Sequence, residues 1–169
     1  TWTPTATNTA GTHRLTAGNQ INMAVRSRGA ILIWTDTALY QMQFIGAPFT
    51  FGFKQLGSNC GAVGINSAID ISGTAFWMGI EAFYVFDGTV KKLPSAVQDY
   101  GYEDIKLTQK AKITAGLNSQ FNEVTWFYCS NSSDYIDRCV TYNYVEDTWA
   151  IGTLSRTAWQ DYGAFDQPL

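Results

Sequence analysis

The side chains best suited to chemistry in this sequence are three pairs of carboxylates. They are Glu103 with Asp104, Asp134 with Asp137, and Glu146 with Asp147. General acid–base chemistry needs a carboxyl group whose pKa is shifted by burial or by a charged neighbour. All three pairs lie in stretches that are predicted to be turns or a hairpin tip, where water surrounds a carboxylate. We therefore expect these carboxylates to be solvated rather than catalytic.

Other reactive groups are scarce. His13 is the single histidine and lies in a polar N-terminal segment, so a catalytic triad or a histidine metal site would depend on it alone. No cysteine–histidine spacing matches a zinc site, and no calcium-binding loop is present. Gly57, Gly61 and Gly64 lack the following Lys-Ser/Thr pair of a phosphate-binding loop. The sequence therefore predicts no catalytic, cofactor-binding or metal-binding residue and no cofactor, and it predicts that the protein is not an enzyme.

The three cysteines are Cys60, Cys129 and Cys139. If Trp126 faced Tyr142 across a hairpin, Cys129 would lie directly opposite Cys139 and could form a disulfide. An odd, sparse set of cysteines instead favours free thiols in a reducing compartment. The triplet Asn131-Ser-Ser133 matches an N-glycosylation acceptor, which matters only in a secreted eukaryotic protein.

Composition excludes several classes of protein. The chain has 169 residues, of which 46% are hydrophobic, 15% aromatic and only 15% charged, so disorder is not expected. The net charge of −3 and the absence of a Lys/Arg run argue against electrostatic binding to nucleic acid, although a weakly charged wall suits a channel through which DNA slides. No apolar run reaches 18 residues, so no membrane span is predicted. The chain begins with Thr1 rather than Met, which favours a piece of a longer protein.

Three hairpins organise the chain. Each has two apolar, aromatic-rich runs around a short polar break, which is typical of antiparallel strands. The central hairpin spans Thr74–Gly88, and the others pair residues 30–34 with 38–45 and residues 124–128 with 138–144. Each first strand ends near a tryptophan, and each second strand contains a tyrosine: Trp34, Trp77 and Trp126, with Tyr40, Tyr84 and Tyr142. The tryptophans are 43 and 49 residues apart, a period typical of β-propeller blades.

Additional short elements complete the predicted blades. Strands are predicted at 21–25, 49–53, 62–63, 67–71, 90–93, 113–117 and 148–151, single helical turns at 96–100 and 108–112, and the start of a fourth unit at 156–159. The predicted fold is all-β and β-propeller-like, with about three four-stranded blades at residues 30–55, 56–100 and 113–155, within a propeller region at 30–160. An irregular segment with an edge strand precedes it at 1–29, and an extension follows at 161–169. We expect these blades to be part of a larger propeller.

The aromatic residues allow two interpretations. They could form a stacking platform for a sugar or a base, or they could pack blade against blade. Recurrence of tryptophan at matching positions favours packing. A ligand site would require an aromatic residue that occurs in one copy only.

The stretch Thr35–Tyr100 resembles a family of tail proteins of short-tailed bacteriophages, and so do Phe121–Val124, Tyr142–Trp149 and Arg156–Trp159. These are the β-propeller hub or nozzle proteins below the portal, also described as DNA-stabilisation proteins. The resemblance covers about residues 30–160. It implies a homo-oligomeric ring that continues the DNA channel without sequence-specific DNA binding. It also implies contacts with the portal or adaptor and with the needle or tail fibres.

Two functions follow as expectations. The first is a structural component of the virion tail that supports tail assembly and DNA retention or passage, assembled in the bacterial cytoplasm and located in the virion. The alternative is a carbohydrate-binding or glycan-depolymerising β-propeller module, which would need a cleft with paired carboxylates or unmatched exposed aromatics. A cellular WD-type scaffold is disfavoured because the regular Gly-His and Trp-Asp marks are missing.

Overall fold

The computed structural model describes residues 3–95, 97, 102–156 and 158–161. The described chain is 47% strand and 6% helix, so it is all-β as predicted. Residues 102–104 are helical, and a short 3-10 helix spans Leu107–Lys112, which confirms the helical turn predicted at 108–112. The strands are β1 (Ile21–Ser27), β2 (Ala30–Thr35), β3 (Ala38–Gly46), β4 (Thr50–Ser58), β5 (Ala68–Ile71), β6 (Thr74–Met78), β7 (Phe83–Phe86), β8 (Val90–Lys92), β9 (Thr114–Asn118), β10 (Glu123–Tyr128), β11 (Arg138–Asn143) and β12 (Thr148–Gly152).

These strands form three four-stranded antiparallel sheets in chain order. Sheet 1 contains β1 to β4, sheet 2 contains β5 to β8, and sheet 3 contains β9 to β12. Each sheet is a simple meander, because short turns join neighbouring strands. In the β5–β6 turn, Ser72 and Gly73 have φ values of 53° and 103°, the left-handed conformation that tight hairpins require. The predicted three blade-like sheets are confirmed.

The first strands of the three sheets lie side by side. β1 contacts β5, and β5 contacts β9. The Ser27 hydroxyl donates a 2.8 Å hydrogen bond to the Asp70 carboxylate, and a parallel bridge joins Asn66 to Thr114. This convergence of the first strand of each sheet is the arrangement of blades in a β-propeller.

The largest core lies between sheets 2 and 3. Trp126 is fully buried and packs against Phe83, with ring centroids 4.8 Å apart. Its indole N–H donates to the Ser67 carbonyl at 3.0 Å, which ties sheet 3 to the connection between sheets 1 and 2. Buried residues of this core are Val63, Phe76, Met78, Phe83, Leu93, Ile105, Ile113, Val124, Trp126, Tyr128, Val140 and Tyr142.

A second core lies between sheets 1 and 2. Trp34 and Trp77 meet edge to face, with centroids 5.5 Å apart and both side chains fully buried. The Trp77 indole donates to the Cys60 carbonyl at 2.7 Å. Sheet 2 is therefore packed on both faces, as the nearly continuous apolar pattern of β6 requires.

The tryptophan repeat does not use matching positions, so that prediction is wrong. Trp34 points from sheet 1 towards sheet 2, whereas Trp77 and Trp126 each point back towards the preceding sheet. Their cross-strand partners also differ. Trp34 faces Leu39, Trp77 faces Tyr84, and Trp126 faces Val140. Side chains alternate between the two faces of a strand, so a one-residue difference in register reverses the face.

The third hairpin has a different register from the one that would bring its cysteines together. Because Trp126 faces Val140 rather than Tyr142, Cys139 lies opposite Phe127. Cys129 lies beyond the end of β10. All three cysteines are buried free thiols, in agreement with the alternative that the sequence favours.

Several boundaries differ from the predicted ones. β1 pairs with β2, so the first sheet starts at Ile21 rather than near residue 30. Residues 62–63, predicted to be a strand, are buried in an irregular connection. No strand occurs among the described residues at 156 and 158–159, so the predicted fourth unit does not begin there. Most of the helical turn predicted at 96–100, and most of the extension at 161–169, lies outside the described residues.

Irregular segments cover the two outer faces of the stack. On sheet 1, the Ala17 backbone N–H donates to the Tyr40 hydroxyl at 2.8 Å, and His13 stacks on Phe53 at 4.4 Å. On sheet 3, Trp159 packs on Phe127 at 5.3 Å. No helix among the described residues is long and apolar enough to cross a bilayer.

Candidate interaction surface

The β3–β4 hairpin carries a cluster of exposed apolar side chains. Phe44 is 68% exposed, Ile45 56%, Phe49 78% and Phe51 47%. We call these four residues the hairpin patch. Exposed apolar side chains are ordinary when scattered, but a cluster on one projecting element is typical of an interaction surface.

Local sequence explains why this hairpin presents its apolar residues to solvent. Residues 44–53, Phe-Ile-Gly-Ala-Pro-Phe-Thr-Phe-Gly-Phe, contain no charge. A register shift lies between Phe44 and Gly46, and Gly46 and Thr50 adopt φ values of 82° and 62° at the turn. The Phe44 and Phe51 rings meet edge to face at 6.0 Å. The hairpin is therefore ordered by its own contacts without burying its aromatic rings.

A cleft of about 350 Å³ lies beside the patch. Residues 8–13 form one wall, and Pro48, Phe49, Phe51 and Phe53 form the other. His13, the single histidine, is exposed, as its polar segment predicts, but its ring is stacked on Phe53. The cleft offers aromatic surface and backbone polar groups, a combination suited to an apolar segment of another protein.

Asp134 and Glu103 are exposed to solvent, as expected, whereas Asp104 and Asp137 are partly buried and contact charged or polar neighbours. Asp134 forms a 2.8 Å ion pair with Lys106, which lowers the pKa of Asp134. Asp104 lies 3.5 Å from Arg138, and Asp137 lies 3.9 Å from the same side chain. These pairs fasten the tip to the 102–112 connection.

Asp137 illustrates how the tip is held. Burial alone would raise its pKa, but hydrogen bonds from the Ser130 backbone N–H at 2.8 Å and hydroxyl at 2.7 Å outweigh burial and lower it. An acid held in its ionised form by such donors is a structural acceptor rather than a proton donor. Asn131, at the same tip, donates its side-chain N–H to the Glu103 carbonyl at 2.6 Å.

The third carboxylate pair also has a structural partner. Asp147 accepts a 2.9 Å hydrogen bond from the Tyr142 hydroxyl, while the backbone N–H of its neighbour Glu146 donates to the Asn143 side chain. Burial and this hydrogen bond raise the pKa of Tyr142 to about 12. None of these six carboxylates lines the cleft beside the hairpin patch.

The glycines that lack a phosphate-loop pattern lie where the chain crosses itself closely. A Cβ on Gly57 would meet Val90 at 2.9 Å, and one on Gly61 would collide with the Asp36 backbone. In the described part of the chain, no group of three or more His, Cys, Asp or Glu side chains is placed to hold a metal ion. Searches against protein-family models and against curated proteins found no match.

The hairpin patch was missed as a site by sequence reasoning. The sequence places residues 49–53 on an outer strand with aromatics on one face; β4 is the outer strand of sheet 1, but it begins at Thr50 and continues to Ser58. The signal that could have identified the patch is the ten-residue run without a charge, because exposed edge strands normally carry charged side chains.

Proposed function

We propose that this chain is a structural, non-enzymatic module of the virion tail of a short-tailed bacteriophage, part of the hub or nozzle below the portal. It joins a homo-oligomeric ring around a channel through which viral DNA passes without sequence-specific contact. Its other partners are the portal or adaptor and the needle or tail fibre. The protein is assembled in the bacterial cytoplasm and has no membrane contact.

The observation that carries the proposal is the exposed hairpin patch on an open stack of blade-like sheets. The sheets stack through aromatic cores. The outer faces of sheets 1 and 3 do not pack against each other but are covered by irregular segments. We infer that the hairpin patch, rather than these covered faces, is the apolar surface that a neighbouring subunit buries. Sheets supplied by neighbouring copies or by further chain would make this a segment of a larger propeller.

The test is the mass of the purified chain by light scattering, with electron microscopy of the particles. We expect ring-sized oligomers that are well above the 18.7 kDa of one chain. Phe49→Asp places a charge in the hairpin patch and should shift the population to the single-chain mass. Tyr135→Asp, at an equally exposed aromatic residue in the loop between β10 and β11, is the matched control and should leave the rings intact.

A compact particle of 18.7 kDa at the highest soluble concentration would contradict the ring. Antibody labelling of short-tailed virions that encode this sequence tests the location separately. Label at the tail vertex is expected, and unlabelled virions would contradict the tail assignment even if rings form.

A further inference from the structure

A cleft lies between sheets 1 and 2, at the opposite end of sheet 1 from the hairpin patch. In a meander, alternate turns lie at opposite ends, so the β2–β3 turn, the β4–β5 connection and the β6–β7 turn share this end. The cleft has a volume of about 430 Å³, within the range of small-molecule sites. Its lining residues are Asp36, Thr37, Asn59, Gly61, Ile80, Glu81 and Tyr84.

Tyr84 gives the cleft a fixed aromatic wall. Its ring stacks on Trp77, with centroids 5.4 Å apart and planes 17° apart, and its hydroxyl donates to the Asn59 carbonyl at 3.0 Å. The residues opposite Trp34 and Trp126 are aliphatic, so an aromatic residue opposite the tryptophan occurs in sheet 2 only. Tyr84 packs against the core between sheets 1 and 2, but its pairing with a tryptophan is not repeated in the other two sheets.

Asp36 provides a carboxylate that is already oriented. The Asn19 backbone N–H donates to it at 2.8 Å, and the Asn19 side chain donates at 3.3 Å. These bonds lower the pKa of Asp36, so the carboxylate is ionised at neutral pH. Glu81, exposed on the β6–β7 turn, adds a second carboxylate to the lining.

We propose that this cleft binds a neutral saccharide, with the Tyr84 ring against a sugar face and the Asp36 and Glu81 carboxylates accepting hydrogen bonds from hydroxyl groups. An aromatic ring supplies apolar area for the C–H face of a sugar, and carboxylates are strong acceptors for hydroxyl donors. Two carboxylates without a cationic side chain in the lining disfavour phosphorylated or acidic sugars. This inference goes beyond the proposed tail function. Sugar binding and ring assembly are measured in different experiments, so one can fail without the other.

The experiment is ligand-observed NMR on the full chain with glucose, galactose, mannose and their neutral oligosaccharides as probes. We expect saturation transfer to at least one sugar. Tyr84→Ala should weaken binding about tenfold, which is the loss expected for one stacking contact. Tyr84→Phe keeps the ring and should retain binding. Tyr135→Ala, at an exposed tyrosine outside the cleft, is the matched control.

Because Tyr84 also contacts the buried Trp77, a variant of a more exposed residue supports the test. Glu81→Gln removes a charge without removing apolar contacts, and it should weaken binding of the same sugar severalfold while the circular dichroism spectrum stays that of the folded protein. Lack of transfer to any sugar, or equal binding by wild type and both cleft variants, would overturn the proposal. Titration with Ca²⁺ alone is the remaining arm, and saturable binding of Ca²⁺ without any sugar binding would assign the cleft to a cation instead.

Discussion

At the scale of single residues, the position of the Trp159 side chain depends on the absence of a side chain at Gly116. A Cβ on Gly116 would lie 2.6 Å from the Trp159 ring. The Trp159 indole donates to the Leu117 carbonyl at 2.7 Å, and the Ser119 backbone N–H donates to Asp161 at 2.9 Å. These hydrogen bonds hold residues 158–161 against β9. The Trp159 ring occupies the space that a side chain at position 116 would fill, so this position requires glycine.

We expect Gly116→Ala to displace Trp159 from sheet 3. The free energy of unfolding should fall by about 1–3 kcal/mol, as for other substitutions that overfill a packed contact. Chemical denaturation measures this loss, and a red shift in tryptophan fluorescence should accompany it. Gly11→Ala is the control because a Cβ there meets no atom within 4 Å. Equal stability of the two variants would contradict the packing of Trp159 against Gly116.

Tyr142 gives a prediction on pH. Its pKa is about 12 in the folded chain, against an ordinary value of 10.0, because burial and the hydrogen bond to Asp147 favour the neutral hydroxyl. The folded state holds this proton more tightly than the unfolded state. The resulting stability is therefore complete below pH 10 and is lost as the pH rises towards about 12.

Urea denaturation at a series of alkaline pH values tests this. Tyr142→Phe cannot ionise and should lose less stability than the wild type between pH 10 and about 12. Tyr135→Phe, at a residue that is 80% exposed, should follow the wild type. Parallel curves for Tyr142→Phe and the wild type would show that Tyr142 does not carry the effect.

At the scale of the elements, the sheets are joined by tryptophans that donate to connecting segments. Trp77 donates to Cys60, Trp126 to Ser67, and Trp149 to the Pro94 carbonyl at 3.0 Å. These carbonyls belong to residues in the connections between sheets, and the Ser67 carbonyl also accepts the Met78 backbone N–H at 3.0 Å. Each bond therefore fixes how a sheet sits on its neighbour, while the ladders fix only the sheet itself.

We expect Trp126→Phe to destabilise the protein by about 1–3 kcal/mol, because it leaves the buried Ser67 carbonyl without this donor and reduces packing against Phe83. Thermal or chemical unfolding measures the change. Tyr135→Phe should stay within about 0.5 kcal/mol of the wild type, since its side chain is exposed. A Trp126→Phe variant as stable as that control would mean that the indole N–H contributes little to joining the sheets.

At the scale of the whole molecule, the stack has a buried centre and two differently covered faces. Sheet 2 packs on both sides, whereas the outer faces of sheets 1 and 3 are covered by residues 13–17 and by Trp159. The cleft between sheets 1 and 2 and the hairpin patch lie at opposite ends of sheet 1. A protein with this arrangement can contact a neighbour at one end while a ligand binds at the other, so the two proposals can be tested on the same protein.

The sequence by itself determined the three hairpins, most of the strands and the number of sheets, but it left β1 out of the first sheet. This was possible because alternation, aromatic enrichment and turn residues such as Ser72-Gly73 act over a few neighbouring residues. It also indicated free thiols, through the small, odd number of cysteines. The three central hairpins were located within a residue or two of their observed bounds.

Only the tertiary structure decided which face each side chain occupies and what lies beside it. The register of β10 on β11 moved Cys139 away from Cys129, and the orientation of Trp34 broke the apparent repeat. The cleft between sheets 1 and 2 is lined by Asp36 and Tyr84. These residues are 48 positions apart in the sequence and are brought together by packing of the sheets. Register and packing depend on contacts between distant segments, and no local pattern encodes these contacts.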